Sequence, residues 1–485
     1  MKAIKLFSFV ACLLASIQAW SATLIDGIYY NLGTGGATVT SGNYTGNITI
    51  PPSVFYGGTV YFVTGIYYNA FNNCYTLTSV YIPSTVTSIT NNPFSGCSAL
   101  TTIIVDGGNG NYSSDAGVLY NKNKTTLICC PGGKTSYVIP AGVTNIGDGA
   151  FSGCSTLTSI DVETGNNNYS SDGGVLYNKN KNTLILCPGG KKSYVIPTGV
   201  TSIGDGAFSN CKALTSVTIP VGVTNIGDGA FSGCSALTSI TIPVGVKSIG
   251  TDVFNNCSGL TSVTIPNTVT TIGDWAFLGC GISSITIPES VISIGFDAFA
   301  GSNLTFIVIP NSVKSLDDYA FEACEKLTSV TIGSGVTSIG GWAFIGCSSL
   351  SSITCLVPNP ATITMGNYVF DGVNVSSCIL HVPASSVNLY KNAPQWKEFQ
   401  ISEITTGVVI TTTDALQIFP NPATNNITVS GLQNNETIRL YNLNGQLLLT
   451  RKATGEKETI AVGHLPAGVY FVKTEMGKTL KLVKK

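Results

Sequence analysis

Short apolar stretches recur along this chain at a fixed spacing, each alternating with small polar residues. In one unit Leu237, Ile240 and Ile242 are apolar, whereas Thr238, Ser239 and Thr241 between them are polar. Alternation of this kind places Ile240 and Ile242 on one face and Thr241 on the other, the signature of a half-buried strand. Pro243 ends it, and Val246 to Ile249 forms a second extended piece with two more inward residues. A Gly-Asp-x-Ala-Phe segment then turns the chain, as at Gly227 to Phe231. Asp228 is expected there as the N-cap of a short helical turn carrying Ala230 and Phe231.

The unit repeats on phenylalanine anchors at Phe71, Phe94, Phe151, Phe208, Phe231, Phe254, Phe277, Phe299, Phe321, Phe344 and Phe370. The intervals between them are 23, 57, 57, 23, 23, 23, 22, 22, 23 and 26 residues. One such rung cannot bury its own apolar face, but rungs stacked about 4.8 Å apart make a continuous core. The two long intervals carry the same insertion, Asn111-Tyr-Ser-Ser-Asp to Pro131-Gly-Gly and Asn168-Tyr-Ser-Ser-Asp to Pro188-Gly-Gly. Within each, Val118-Leu119-Tyr120 or Val175-Leu176-Tyr177 leads through Asn-Lys-Asn-Lys into another apolar run, a hairpin rung.

The Leu-x-x-Ile-x-Ile core of the unit, its spacing and its flanks resemble the BspA-like leucine-rich repeats of bacterial surface antigens. The resemblance runs from about Asp26 to Phe399, with an N-terminal part from Asp26-Gly-Ile-Tyr-Tyr to Ile50-Pro-Pro and a closing part from Leu380-His-Val-Pro383 through Tyr390 and Trp396. It implies a mainly β leucine-rich-repeat solenoid with rungs of 22–23 residues and capped ends. It also implies adhesion, because relatives are associated with binding host matrix or plasma proteins and other bacteria.

Both ends of the chain read as addresses. Residues 1–21 have the form of a signal peptide: Lys2 and Lys5 precede an apolar run from Leu6 to Ile17, and Ala19-Trp20-Ser21 offers a cleavage site after Ser21. The apolar run is short for a membrane span. Cys12 lies too early within it for the alternative, acylation at a lipoprotein site. Residues 22–404 hold the repeats, 405–415 form a Thr/Val-rich linker, and 416–485 change in character. This last segment reads as a small immunoglobulin-like β-sandwich of about seven strands, with Asn444-Gly445 as a tight hairpin turn. Pro420-Asn421-Pro422, the Tyr441-Asn-x-x-Gly445 block, Leu465-x-x-Gly468-x-Tyr470 and the basic end Lys484-Lys485 resemble the C-terminal sorting domain of the type IX secretion pathway of Bacteroidota. The resemblance implies handling by that secretion machinery, removal of the domain, and attachment to the cell surface or release.

Composition narrows the function. Hydrophobic residues make up 44% of the chain and charged ones only 10%. Residues 1–415 carry 15 Lys against 21 Asp and Glu, and the final segment carries 9 Lys and Arg against 4 Glu. The repeats therefore lack the basic surface that nucleic-acid binding requires. No segment after the signal is apolar enough to cross a membrane as a helix. With His381 and His464 as the only histidines, no Ser–His–acid arrangement can be assembled in the repeats. No phosphate-binding glycine motif and no Cys-x-x-Cys pair occurs, so no cofactor or metal is expected. Of 15 cysteines, nine lie three residues after an anchor, from Cys74 to Cys347, with Ser302 in the same place in one rung. That regularity predicts a reduced, buried ladder of small side chains rather than disulfides. Asp148, Asp205, Asp228, Asp274 and Asp318 lie three residues before an anchor. Paired carboxylates could act in glycoside hydrolysis or hold calcium, but a catalytic pair would break the repeat, and these obey it.

Two columns depart from the repeat in ways that suggest contact with a partner. Two residues before the anchor, early rungs carry Gly149, Gly206 and Gly229, whereas later ones carry Trp275, Asp297 with Phe296 beside it, Tyr319 and Trp342. These aromatics form a candidate stripe for a protein or glycan ligand, set against the alternative of local packing along the solenoid edge. On the outward face of the strands the Ser/Thr columns are interrupted by Phe306 and Val308. Phe306 is the candidate contact residue of that face. The sequence thus points to an exported surface binding protein and not to an enzyme. A passive surface component and a β-solenoid carbohydrate-active enzyme stand as alternatives.

Overall fold

The computed structural model describes residues 22–404 and, in the C-terminal segment, 417–419, 423–432, 436–442, 447–466, 468–474 and 479–484. The chain divides into two compact units between Glu403 and Ile404.

In the larger unit each rung contributes a short strand that pairs in parallel with its counterpart one repeat on, as Ser239–Thr241 does with Ser262–Thr264. The second extended piece does the same, Ser248–Ile249 pairing with Thr271–Ile272. Alternation decides which side faces the core: Ile240 and Ile242 are 4% and 2% exposed, while Thr241 faces solvent. Toward the C-terminal end the ladders lengthen into a five-stranded sheet ending at Gln400–Glu403 and a six-stranded one ending at Thr364–Met365.

The turns that carry the anchors also stack, and here the expected helical turn is not formed. Backbone N–H groups of alternate residues donate to carbonyls of the following rung instead: Gly206 to Asp228 (2.9 Å), Phe208 to Ala230 (2.7 Å) and Asn210 to Ser232 (2.7 Å). A turn bonded to its neighbour has no free helix N-terminus to cap. The column aspartates serve the next rung: Asp205 Oδ1 accepts from Asp228 N (3.1 Å), Asp228 Oδ1 from Thr251 N (2.9 Å), Asp274 Oδ1 from Phe296 N (2.9 Å) and Asp318 Oδ1 from Gly341 N (2.7 Å). Their regularity is that of an inter-rung cross-brace.

Inside, the anchor rings from Phe208 to Phe370 stack as one ladder, centroids 4.9–5.7 Å apart and planes within 16°. Beside it runs the cysteine column. Every cysteine among the described residues is buried and unpaired. The thiols are also donors: Cys234 Sγ lies 3.0 Å from Phe208 O, Cys257 from Phe231 O (3.0 Å) and Cys280 from Phe254 O (3.0 Å). Ser302 keeps to the column, its hydroxyl 3.4 Å from Cys324 Sγ.

Each insertion is a three-stranded meander, one strand more than the hairpin expected. Tyr112–Asp115 pairs antiparallel with Val118–Asn121, which pairs antiparallel with Thr126–Cys129, and the last rejoins the parallel ladder at Asn145–Ile146. The second copy reproduces this from Tyr169 to Ile203. A fully buried asparagine fastens each one. Asn109 Nδ2 donates to Pro83 O and Val86 O, both at 2.9 Å, and its Oδ1 accepts from the backbone of Asn111 and Tyr112, both at 2.9 Å. Asn166 makes the same four bonds to Pro140, Val143, Asn168 and Tyr169.

Both ends of the stack carry buried apolar residues. Tyr30, Val39 and Ile50 cover the first rungs, and Leu380, Tyr390, Trp396 and Phe399 the last, all at most 6% exposed.

The C-terminal unit holds a three-stranded antiparallel sheet (Gln417–Phe419, Asn426–Ser430, Lys457–Ala461) and a four-stranded one (Leu447–Lys452, Thr437–Asn442, Gly468–Thr474, Thr479–Lys484). Ile427, Val429 and Ile460 from the first share one core with Leu440, Val472 and Leu482 from the second, which makes a sandwich. Tyr470 anchors a turn, its hydroxyl donating to Pro466 O at 2.8 Å. Gly468 and Lys484 are register partners in the larger sheet. Residues 1–21, the linker 405–415, Pro420, Asn421, Pro422, Asn444, Gly445 and Lys485 lie outside the described residues.

Candidate binding surface

Two columns of left-handed backbone flank the anchor ladder, one two residues after each phenylalanine and one two residues before each from Phe151 onward. The column after the anchor keeps residues suited to that conformation: Asn210, Gly233, Asn256, Gly279, Gly301, Gly346 and Gly372, with Ala323 as the exception. The column before it starts in the same way, with φ of 65°, 59° and 61° at Gly149, Gly206 and Gly229. It then passes through Asp252 (59°) to Trp275 (54°), Asp297 (52°), Tyr319 (60°), Trp342 (55°) and Tyr368 (54°). A bulky residue in this region is a conformational outlier, at roughly 1–2 kcal/mol each. The glycines show that the turn itself does not need the ring.

The aromatics meet one another along the solenoid. Trp275 packs edge-on against Phe296 (centroids 5.4 Å) and Phe296 edge-on against Tyr319 (5.5 Å). Tyr319 stacks on Trp342 at 5.3 Å with planes 8° apart, and Trp342 on Tyr368 at 5.8 Å. Each such pair contributes roughly 0.5–1.5 kcal/mol. That gain is of the size of the backbone strain, so the two terms nearly cancel. Trp275, Phe296, Tyr319 and Trp342 are half-buried, and Tyr368, at the end of the row, is 65% exposed. Tyr319 and Trp342 cover a face of each other, and Tyr368 stacks on Trp342 in turn.

Asp297 fills the one place in the row without a ring, and Phe296 takes the place of the column aspartate beside it. The Trp275 indole N–H donates to Asp297 Oδ2 at 3.1 Å, while the buried Oδ1 has no partner among the described residues. Burial pushes the Asp297 carboxyl up to about 6, the Trp275 hydrogen bond opposes the rise, and the neighbouring Glu322 and Asp274 charges add to it.

Four of the five candidate contact residues thus come together, and Phe306 does not join them. It opens the strand Phe306–Ile309, is 48% exposed beside Val308 at 41%, and pairs in register with Ser329. Tyr368 completes the row, and its signal was in the sequence: it stands two residues before Phe370, as Trp342 does before Phe344. The fastening roles of Asn109 and Asn166 carried no such signal beyond an Asn-x-Asn-Tyr spelling common to both insertions.

Comparison with known proteins places the repeats and the C-terminal unit separately. The family described as BspA type Leucine rich repeat region matches in six copies, over residues 47–135, 129–186, 187–305 and 276–397. The family described as Secretion system C-terminal sorting domain matches residues 417–485. Among solved structures, a leucine-rich repeat protein from Eubacterium ventriosum is 25% identical, covering 73% of this chain and 95% of that one, with a TM-score of 0.42. A leucine-rich repeat protein from Bacteroides ovatus is 24% identical over 79% of this chain and all of that one, with a TM-score of 0.34. The pneumococcal vaccine antigen PcpA is 17% identical over 80% of this chain and 99% of that one, with a TM-score of 0.36. No curated protein matches the chain.

Proposed function

This chain belongs to the BspA-type leucine-rich-repeat proteins and carries a type IX secretion sorting domain, and from that premise we propose that it is an adhesin that grips its partner along the outer aromatic row. The sorting domain makes it an exported, surface-directed protein handled by the type IX machinery. Among the described residues no helix is long and apolar enough to cross a membrane.

The observation that carries the reading is the exchange of glycine for Trp and Tyr at a left-handed position that glycine serves equally well in earlier rungs. Strain retained where the fold does not require it is accounted for by a role outside the fold. Within the two partner classes the stacking favours protein over glycan. A sugar ring needs a free aromatic face to lie on, and Tyr319 and Trp342 spend theirs on each other. Half-buried apolar rings in a row suit a protein surface with complementary side chains. Phe306 with Val308 is a second, smaller contact on the strand face.

The same stacking supports a second reading, a passive surface component whose outer row only braces the rungs. Binding of the exported chain to a panel of extracellular-matrix and plasma proteins, with a glycan array alongside, separates the two. Saturable binding to a protein, lost in Trp275→Ala/Trp342→Ala while the variant stays folded, supports the adhesin. Binding that survives the double substitution removes the row from the interface, and no binding to any panel member supports the passive reading. Turnover of a polysaccharide would instead make the chain an enzyme.

A further inference from the structure

The C-terminal cap of the solenoid holds a cavity that repeat packing does not account for. Its volume is about 530 Å³, within the range of roughly 300–1,000 Å³ usual for small-molecule sites. It lies between the segment from Asn359 to Asn367 and the short helix Val387–Tyr390 with the loop that follows.

The chemistry of its lining is narrow. Four asparagines, Asn359, Asn367, Asn388 and Asn392, stand exposed around it, and no charged residue lines it. The side chains of Asn367 and Asn388 make no hydrogen bond among the described residues, whereas Gln395 is committed at both ends, to Val369 N and Gly366 O. Apolar surface from Ile363 and Met365 lies behind them. Trp396 also lines the cavity. It is 1% exposed, and its indole N–H finds no acceptor among the described residues. An uncommitted buried donor is costly, and Trp396 lines a cavity where Asn359 Oδ1 accepts from Ala361 N and Asn392 Nδ2 donates to Asn388 O, while the Asn367 and Asn388 carboxamides are uncommitted.

We propose that this cavity is a binding site for a neutral saccharide. The uncommitted carboxamides of Asn367 and Asn388 each present a donor and an acceptor side by side, and each sugar hydroxyl both donates and accepts, so the two sets match without any charge. An ionic ligand would shed its hydration here with no counter-charge to replace it. The apolar wall suits the C–H face of a pyranose ring. The site adjoins the C-terminal end of the aromatic row, where Asn367 O accepts from Trp342 N at 3.0 Å, but it does not depend on that row binding anything.

The test is equilibrium titration of the full chain with neutral hexasaccharides of α-linked glucose, β-linked glucose, mannose and N-acetylglucosamine, with anionic hexagalacturonate as the charged probe. At least one neutral probe is expected to saturate, and Asn367→Ala/Asn388→Ala to weaken it at least tenfold. Neither side chain holds the fold together, so that variant stays folded. Trp396→Phe, which removes the N–H together with the five-membered half of the indole, is expected to weaken binding as well, with thermal melting as the check on its fold. Trp275→Ala, at the far end of the row, is expected to leave the affinity unchanged. The proposal is overturned if no neutral probe binds, if the Asn367/Asn388 variant binds as well as the parent, or if hexagalacturonate binds most tightly. Loss of binding in Trp275→Ala alone overturns it too, and hands the saccharide to the aromatic row.

Discussion

Tyr319 and Trp342 lie face to face, ring planes 8° apart and centroids 5.3 Å apart, and both hold a left-handed backbone that glycine occupies in earlier rungs. Replacing Trp342 with glycine removes two ring contacts, to Tyr319 and Tyr368, and relieves the backbone. The two effects, roughly 1–3 kcal/mol lost and 1–2 kcal/mol recovered, leave a net change between about 1 kcal/mol gained and about 2 kcal/mol lost. Trp342→Ala loses the contacts without relief and falls about 1–3 kcal/mol. Phe344→Ala, in the internal ladder two residues on, costs about 3–5 kcal/mol. Chemical denaturation of the three variants should give that order. A Trp342→Gly loss as large as that of Phe344→Ala would make the row structural.

The buried asparagines of the insertions are expected to be the most sensitive polar positions in the solenoid. Asn109 satisfies two carbonyls and two backbone N–H groups at once, and it is 0% exposed. Asn109→Asp keeps the shape but turns the donor end into an acceptor facing Pro83 O and Val86 O. It should therefore cost at least as much as Asn109→Ala, on the order of 2–4 kcal/mol. Thermal melting of the two variants, with the same pair at Asn166, checks this. Near-wild-type melting of Asn109→Asp would show that the meander is held by its strands alone.

The cysteine column should be chemically silent while the chain is folded. Burial pushes Cys324 up to about 11 and Cys97 up to about 12, and it also raises Cys280. The thiolate, which is the reactive form, is therefore scarce even in mild alkali, and the sulfurs are out of reach of reagent. Alkylation followed by mass spectrometry at about pH 8 should leave every ladder cysteine unmodified in the native chain and modify them all after unfolding. Rapid native labelling of Cys234, Cys257 or Cys280 would show that the rungs open.

These positions also mark how far the sequence could be read. Alternation around Ile240 and the spacing of the phenylalanines set the strands, the period and the burial of the cysteines, because one-face burial leaves a periodic trace. The role of Asp228 is not legible in its turn, since a Gly-Asp-x-Ala-Phe segment spells a helix start equally well. Only stacking decides that its N–H groups go to the next rung. Asn109 was not legible at all. Two of its partners, the carbonyls of Pro83 and Val86, lie one repeat earlier, and only the fold brings them to the side chain that also holds the N–H groups of Asn111 and Tyr112. The aromatic row was visible as a departure from the glycine column, but its mutual stacking, which shapes the choice of partner, depends on ring orientation that spacing does not encode.

Asp297 gives the row a pH dependence whose sign can be fixed. Its carboxyl, near 3.8 when the chain is unfolded, titrates near 6 in the fold, chiefly because it is buried, with the Trp275 hydrogen bond pulling it down and Glu322 and Asp274 raising it. Between those values the native state binds the extra proton, so stability is fully present below the lower value and falls as pH rises through the upper one. The substitution Asp297→Asn keeps an acceptor for the Trp275 indole without the charge. That variant should therefore melt higher than the parent at about pH 7.5, and the two should converge toward about pH 4. Because the carboxyl is only partly buried, solvent screening keeps the difference small. A variant that melts below the parent at neutral pH would mean that the charged Asp297 is a favourable partner for Trp275, and that the row is built around an anion.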